Sequence, residues 1–295
     1  MGQHFRSAVP LAMTAALLLA SCQHAPPASP HYLLGAPYRV GGAWYYPRES
    51  YERSETGIAT VYPSGHADLT ADGEVFDQTA LAAAHQTLQL PAIARLTNLE
   101  NGRQVVVRIN DRGPATPHRL IEVTRRTATL LGFTADDGVR VRLQVLPVES
   151  HAAVEAVPGA PKLDIATAPV GDVQQSDLPP PGSAASAQAV RTPGLTQSPA
   201  TTGAAVNLRL PETVTQAPPE PGNLYVRLSS FQNFEYAAIQ RARVAGLGAS
   251  IVSSVSGRAP VFSVTIGPFT TVQQADVVLD QVIRAGVTDA RIVVE

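Results

Sequence analysis

The sequence predicts a mainly β unit followed by an α+β unit, with a linker between them. Three observations carry this. Short strand-like runs crowd residues 56–147, the composition of residues 148–221 shifts to Pro, Ala, Ser, Thr and Gln, and residues 224–295 follow the order strand, helix, strand, strand, helix, strand. At 295 residues the chain has room for two modest domains, each with its own core. The division expected is residues 1–21 as an export signal, 22–55 as an N-terminal tether, 56–147 as the β unit, 148–221 as a disordered linker and 222–295 as the α+β unit.

The first segment carries Arg6 and then an apolar run from Ala8 to Ala20. That run is too short to anchor a chain across a bilayer and fits the apolar region of an export signal. It ends in Leu19-Ala20-Ser21-Cys22, which resembles the lipobox of bacterial lipoproteins, where the signal is cut before a diacylglyceryl-modified cysteine. Cys22 is the single cysteine. Once lipidated it leaves no thiol for a disulfide or a thiolate metal site. Acyl chains contribute about 0.8 kcal/mol per buried methylene, so several would hold the protein on a membrane. Gln23 rather than Asp follows the cysteine, which by analogy with Gram-negative sorting points to the outer membrane, facing the periplasm. The formal net charge of −2, without blocks of like charge, offers no basic field for nucleic acid.

In the β unit, strands are expected over Gly57–Tyr62, Ala92–Leu96, Gln104–Ile109 and Val139–Leu146. The last alternates Val139, Val141, Leu143 and Val145 against Arg140, Arg142 and Gln144, the pattern of a half-buried strand. Thr124 can cap a helix that turns Ala128 and Leu131 inward and ends at Gly132. The linker has too few large apolar residues to offset the entropy of ordering it, and its prolines favour extended chain. In the α+β unit Thr271 and Gln274 form a capping-box signature ahead of Ala275, Val278, Leu279, Val282 and Ile283 at helical spacing, closed by Gly286. An earlier helix, Phe234–Ala245, is closed by Gly246. Phe231 and Phe269 follow equivalent strands, so the unit reads as a βαβ written twice, in a ferredoxin-like split βαβ sheet.

Thr70-Ala71-Asp72-Gly73-Glu74, Leu81-Ala82-Ala83-Ala84-His85, Thr97-Asn98-Leu99-Glu100-Asn101-Gly102-Arg103 and Arg108-Ile109-Asn110-Asp111-Arg112-Gly113-Pro114 together resemble the rare lipoprotein A family of septal ring lytic transglycosylases. The resemblance spans roughly Thr56 to Leu146 and implies a double-psi β-barrel. Tyr225-Val226-Arg227 and Gly267-Pro268-Phe269 are similar to the sporulation-related repeat (SPOR) domain, whose relatives bind glycan strands stripped of their peptides. Three places depart from the pattern. Val61-Tyr62-Pro63 replaces Trp-Tyr-Gly, Glu122-Val123-Thr124 replaces Asp-Leu-Ser, and Ser263 and Thr265 stand where arginines are common.

By local rules Asp111 is a turn residue and Glu74 a solvated carboxylate. The resemblance implies instead that Asp111 is a general acid and Glu74 the second acidic residue of the same groove. Glycoside chemistry needs such a pair, because the leaving oxygen must be protonated while positive charge develops at the anomeric carbon. In a lytic transglycosylase the muramic acid's own C6 hydroxyl then attacks and leaves a 1,6-anhydro end. His85 is either a packed residue that holds a loop or part of the groove. Tyr62, Asn110 and Arg112 either line the groove or serve packing and turns. His66, Asp68 and Asp72 lack metal-ligand spacing, so neither metal nor cofactor is expected. The expected function is cleavage of peptidoglycan glycan strands, preferably without stem peptides, during septal remodelling. The alternative is a non-catalytic septal peptidoglycan-binding lipoprotein. The partners implied are glycan strands, the membrane through Cys22, and division proteins.

Overall fold

The computed structural model describes residues 27–134, 138–161, 209–256 and 259–295. The expected export signal, Cys22 and most of the expected linker lie outside the described residues. A hairpin of β1 (Tyr38–Val40) and β2 (Ala43–Tyr45) precedes β3 (Ser54–Val61), β4 (Ala82–Ala84), β5 (Ala92–Asn98), β6 (Arg103–Asp111) and β7 (Ile121–Val123). Helix α1 (Arg125–Leu131), β8 (Val139–Val145), α2 (Pro147–Glu155) and β9 (Val214–Gln216) follow.

Strands β4, β7, β3, β8, β5 and β6 are hydrogen-bonded in that order, and β4 also pairs with β6, so six strands close into a barrel. Two pairings are parallel, β3 with β7 and β4 with β6. Closure leaves no free edge among the six and buries Leu88, Leu90, Leu96, Ile109, Ile121 and Leu143. The four expected strands are present, with β8 alternating as its sequence requires. Strand β6 runs two residues further than expected, so Asp111 is the last residue of a strand instead of the turn after it. Helix α1 is capped by the Thr124 hydroxyl and closed by left-handed Gly132, as its residues dictate.

The stretch read as linker holds two ordered elements. Pro147 suits the first turn of α2, where its missing N–H costs nothing. The buried Ser150 hydroxyl donates to the Ile93 carbonyl and accepts from the Ile93 amide, both at 2.9 Å. Strand β9 adds to the barrel alongside β6.

The second unit comprises β10 (Leu224–Phe231), α3 (Phe234–Arg243), β11 (Ser250–Ser256), β12 (Ala259–Phe269), α4 (Val272–Arg284) and β13 (Arg291–Val294). The sheet order β11-β12-β10-β13, antiparallel throughout, is the split βαβ arrangement. Thr271 caps α4 as expected, but the Gln274 side chain accepts from the Thr270 amide, one residue before the cap. Helix α3 is capped by Asn233, and the left-handed glycine after it is Gly248. Gly246 lies inside a short 3-10 turn, which corrects the expected helix end.

Candidate active site

Tyr62, one residue beyond β3, is fixed by its amide, which donates to the Val123 carbonyl at 3.0 Å. Its ring meets His66 and Phe76 edge-on, with centroids 4.8 Å away in each case. The His66 and Phe76 rings lie 4.1 Å apart. Strand β6 ends against this cluster.

Asp111 is only 4% exposed, yet both its oxygens are occupied. Oδ1 accepts from the Ala71 and Arg112 amides, each at 2.8 Å. Oδ2 accepts from the Tyr62 hydroxyl at 3.2 Å and lies 3.0 Å from Nε2 of His66. Burial, and after it the charges of Asp111 and Glu122, push the Tyr62 hydroxyl far above its ordinary range, so it remains a donor.

The loop Thr70–Glu74 closes on itself: the Thr70 amide donates to the Glu74 carbonyl (2.9 Å) and the Gly73 amide to the Thr70 carbonyl (3.0 Å). Gly73 has φ +83°, and a Cβ there would sit 2.3 Å from the Ser29 carbonyl oxygen, so glycine is required. This close approach lets the N-terminal segment strap the loop, with Ser29 donating to the Gly73 carbonyl and His31 to the Asp72 carbonyl, both at 2.9 Å. Glu74 is held from β6. Oε1 accepts from Arg108 through Nε (2.7 Å) and Nη2 (2.5 Å), and Oε2 accepts from Asn110 Nδ2 (2.8 Å). Arg108 and Asn110 alternate along a strand, so they share a face. A depression of about 430 Å³ beside them is lined by Thr70, Glu74, Phe76, Arg108 and Asn110. Phe76 thus joins this depression to the Tyr62–His66 cluster around Asp111.

Asp72 lies within the same loop, fully buried. Its Oδ1 accepts from the Thr70 hydroxyl (2.7 Å) and the Glu74 amide (3.3 Å), while Oδ2 has no partner. Burial first, and the Glu74 charge second, raise its pKa to about 7.

Of the six groove residues expected from sequence, Tyr62 and Asp111 meet directly, and Glu74 meets Asn110. His85 and Arg112 point elsewhere. The buried His85 ring accepts at Nδ1 from the Thr87 (3.1 Å) and Leu88 (3.2 Å) amides, and Nε2 lies 3.5 Å from Glu55 Oε1. This is the loop-holding geometry, and burial pushes the ring's pKa down. Its amide donates to the Asp111 carbonyl (3.0 Å), so it supports the site from behind. Arg112 sends its guanidinium to the carbonyls of Leu88 (2.6 Å) and Leu34 (2.7 Å). Sequence reasoning missed Arg108 and Glu122 as site residues and weighed His66 and Asp72 only as metal ligands. For Arg108 the available signal was its i, i+2 spacing from Asn110 on one strand face.

Residues 54–144 match the family described as lytic transglycolase, and residues 220–292 match the SPOR domain. The chain is 31% identical over 256 residues to the endolytic peptidoglycan transglycosylase RlpA of Pseudomonas aeruginosa, covering 83% of this chain and 72% of that protein. It is 36% identical over 125 residues to the protein of the same name from Rickettsia bellii, covering 41% of this chain and 55% of the relative. A crystal structure of the RlpA SPOR domain from Pseudomonas aeruginosa matches 24% of this chain and 99% of its own, at 21% identity and a TM-score of 0.23.

Proposed function

The chain belongs to the RlpA family of endolytic peptidoglycan transglycosylases, and from that premise we propose that its barrel cleaves peptidoglycan glycan strands with Asp111 as acid and base. The observation that carries this is one short loop serving two carboxyl groups: Ala71 donates to Asp111, and Glu74 three residues on is clamped by Arg108 and Asn110. Asp111 protonates the leaving glycosidic oxygen as the C1–O bond breaks. The C6 hydroxyl of the same muramic acid then attacks C1 and returns its proton to Asp111, leaving a 1,6-anhydro end without water entering. Glu74, paired with Arg108, supports the positive charge that develops at the anomeric carbon. The C-terminal unit, as a SPOR domain, supplies affinity for peptide-free glycan at the septum, where division proteins are its neighbours.

Asp111→Asn is nearly isosteric, keeps the amide contacts and cannot deliver a proton. General acid–base catalysis contributes roughly 10²–10⁴-fold, so release of 1,6-anhydromuramic products from peptide-free glycan should fall by at least about that factor at unchanged melting temperature. Glu74→Gln should lose less. A folded Asp111→Asn that cleaves like the parent removes the assignment, and a parent that never cleaves favours a glycan-binding role. The sequence Leu19-Ala20-Ser21-Cys22 supports lipid anchoring in the outer membrane. Cys22→Ala should therefore release the protein from the membrane fraction, and persistence there would place the anchor elsewhere.

A further inference from the structure

His66 has an acceptor at each ring nitrogen. Nδ1 lies 3.0 Å from the Ala67 carbonyl oxygen and Nε2 lies 3.0 Å from Asp111 Oδ2. A carbonyl oxygen can only accept, so Nδ1 carries its hydrogen. In a neutral imidazole Nε2 is then bare, and the hydrogen in the Asp111 contact must come from the carboxyl. In the imidazolium it comes from Nε2. A hydrogen bond across this 3.0 Å contact therefore requires one proton between Oδ2 and Nε2. The ring cannot easily turn away, because Tyr62 and Phe76 pack against it at 4.8 and 4.1 Å.

Glu122 faces the same pair. It is 3% exposed and sits in register with Ala84, which is itself in register with Asp111. The two acidic residues therefore share one row of the sheet, two strand spacings apart, or about 9.5 Å between backbones. Gly113 lies over Ala84 between them. A Cβ on Gly113 would come within 2.9 Å of the Ala84 Cβ and 3.4 Å of Glu122 Oε2. Only glycine lets the loop descend far enough for the Ala115 amide to donate to Oε2 at 3.3 Å. The titratable groups that act on Glu122 here are His66 and Asp111, and Tyr62 feels both Glu122 and Asp111. Burial pushes the Glu122 carboxyl up, the Ala115 amide and His66 oppose this, and Asp111 adds to it.

We propose that His66 is a positioning residue that shares one proton with Asp111, and that Glu122 keeps the proton on that pair. This rests on the acid and base role given to Asp111 above. The proton passes to the glycosidic oxygen as its bond to C1 breaks, and the C6 hydroxyl proton returns as the C6 oxygen bonds to C1. The pair thus ends as it began. Glu122 acts through charge: a second carboxyl nearby makes loss of the shared proton less favourable.

The test uses the full chain labelled with ¹⁵N-histidine. A shared proton should give a far-downfield resonance coupled to one ring nitrogen, lost in both His66→Phe and Asp111→Asn. Phe keeps the ring packing, and unfolding curves confirm that each variant is folded. A resonance that survives Asp111→Asn, or is missing from the parent, overturns the shared proton. Glu122→Gln should move the alkaline limb of kcat/KM to lower pH by on the order of one unit. A purely structural role lowers activity at every pH and leaves the limb in place, which overturns the part given to Glu122. The spectrum does not depend on turnover, so a parent without anhydro products counts against the proposed function alone.

Discussion

Asp72 shows how a single residue can be invisible in sequence and prominent in structure. In Thr70-Ala71-Asp72-Gly73-Glu74 it reads as an ordinary loop acid. Folding buries it completely beside Glu74, with one oxygen unpartnered, because the strap formed by Ser29 and His31 covers the loop. No local pattern could reveal this, since the strap lies some forty residues upstream. A carboxyl with a raised pKa binds its proton more tightly folded than unfolded. Its contribution to stability is complete below the ordinary value of 3.8 and is lost as pH rises toward about 7. Asp72→Asn retains the acceptor used by the Thr70 hydroxyl and Glu74 amide and has no proton to lose. The variant should therefore gain melting temperature relative to the parent progressively between pH 4 and pH 7. Parallel melting curves across that range would show that Asp72 is ionised in the fold.

At the scale of elements, periodicity and caps were legible and closure was not. Alternation in β8 and the Thr124 and Gly132 signals of α1 are local, and both stand in the structure. The parallel pairings of β3 with β7 and β4 with β6 join segments far apart in the chain, and local pattern is silent about such partners. The family resemblance supplied the barrel. Arg112 illustrates the same limit, because its motif reads as a turn while its guanidinium gathers the carbonyls of His85, Leu88, Leu33 and Leu34 and so ties the N-terminal segment to β6. Hydrogen bonds to charged groups contribute about 1.5–3 kcal/mol each, and Arg112 makes two short ones. Arg112→Ala should cost about 3 kcal/mol in urea unfolding, with Lys recovering little because one ammonium cannot reproduce the planar fork. A loss under about 0.5 kcal/mol would mean that the segment is held by other contacts.

Across the whole molecule, composition divided the chain into two units and a linker, but it gave no sign that the units touch. Ile58 on β3 and Leu99, just beyond β5, pack into the core of the C-terminal unit with Ile292 and Val294. The Thr56 hydroxyl donates to the Val294 carbonyl (2.8 Å) and accepts from the Val294 amide (3.1 Å), and Arg119 grips Asp276 with both guanidinium ends at 2.7 and 2.8 Å. The expectation of two units held apart by an extended linker therefore meets a docked arrangement. Docking brings the SPOR domain and the barrel into fixed register, whereas a free tether only raises the local concentration of one unit near the other. Thr56→Val separates the two cases, since it keeps shape and removes both hydrogen bonds, each contributing about 0.5–1.5 kcal/mol. In the docked arrangement, hydrogen exchange of the Arg291–Val294 amides should accelerate in the variant while the barrel amides of β5 and β6 stay protected. Equal protection at Val294 in parent and variant would mean that β13 is held by its pairing with β10 alone and that the two units are not docked through Thr56.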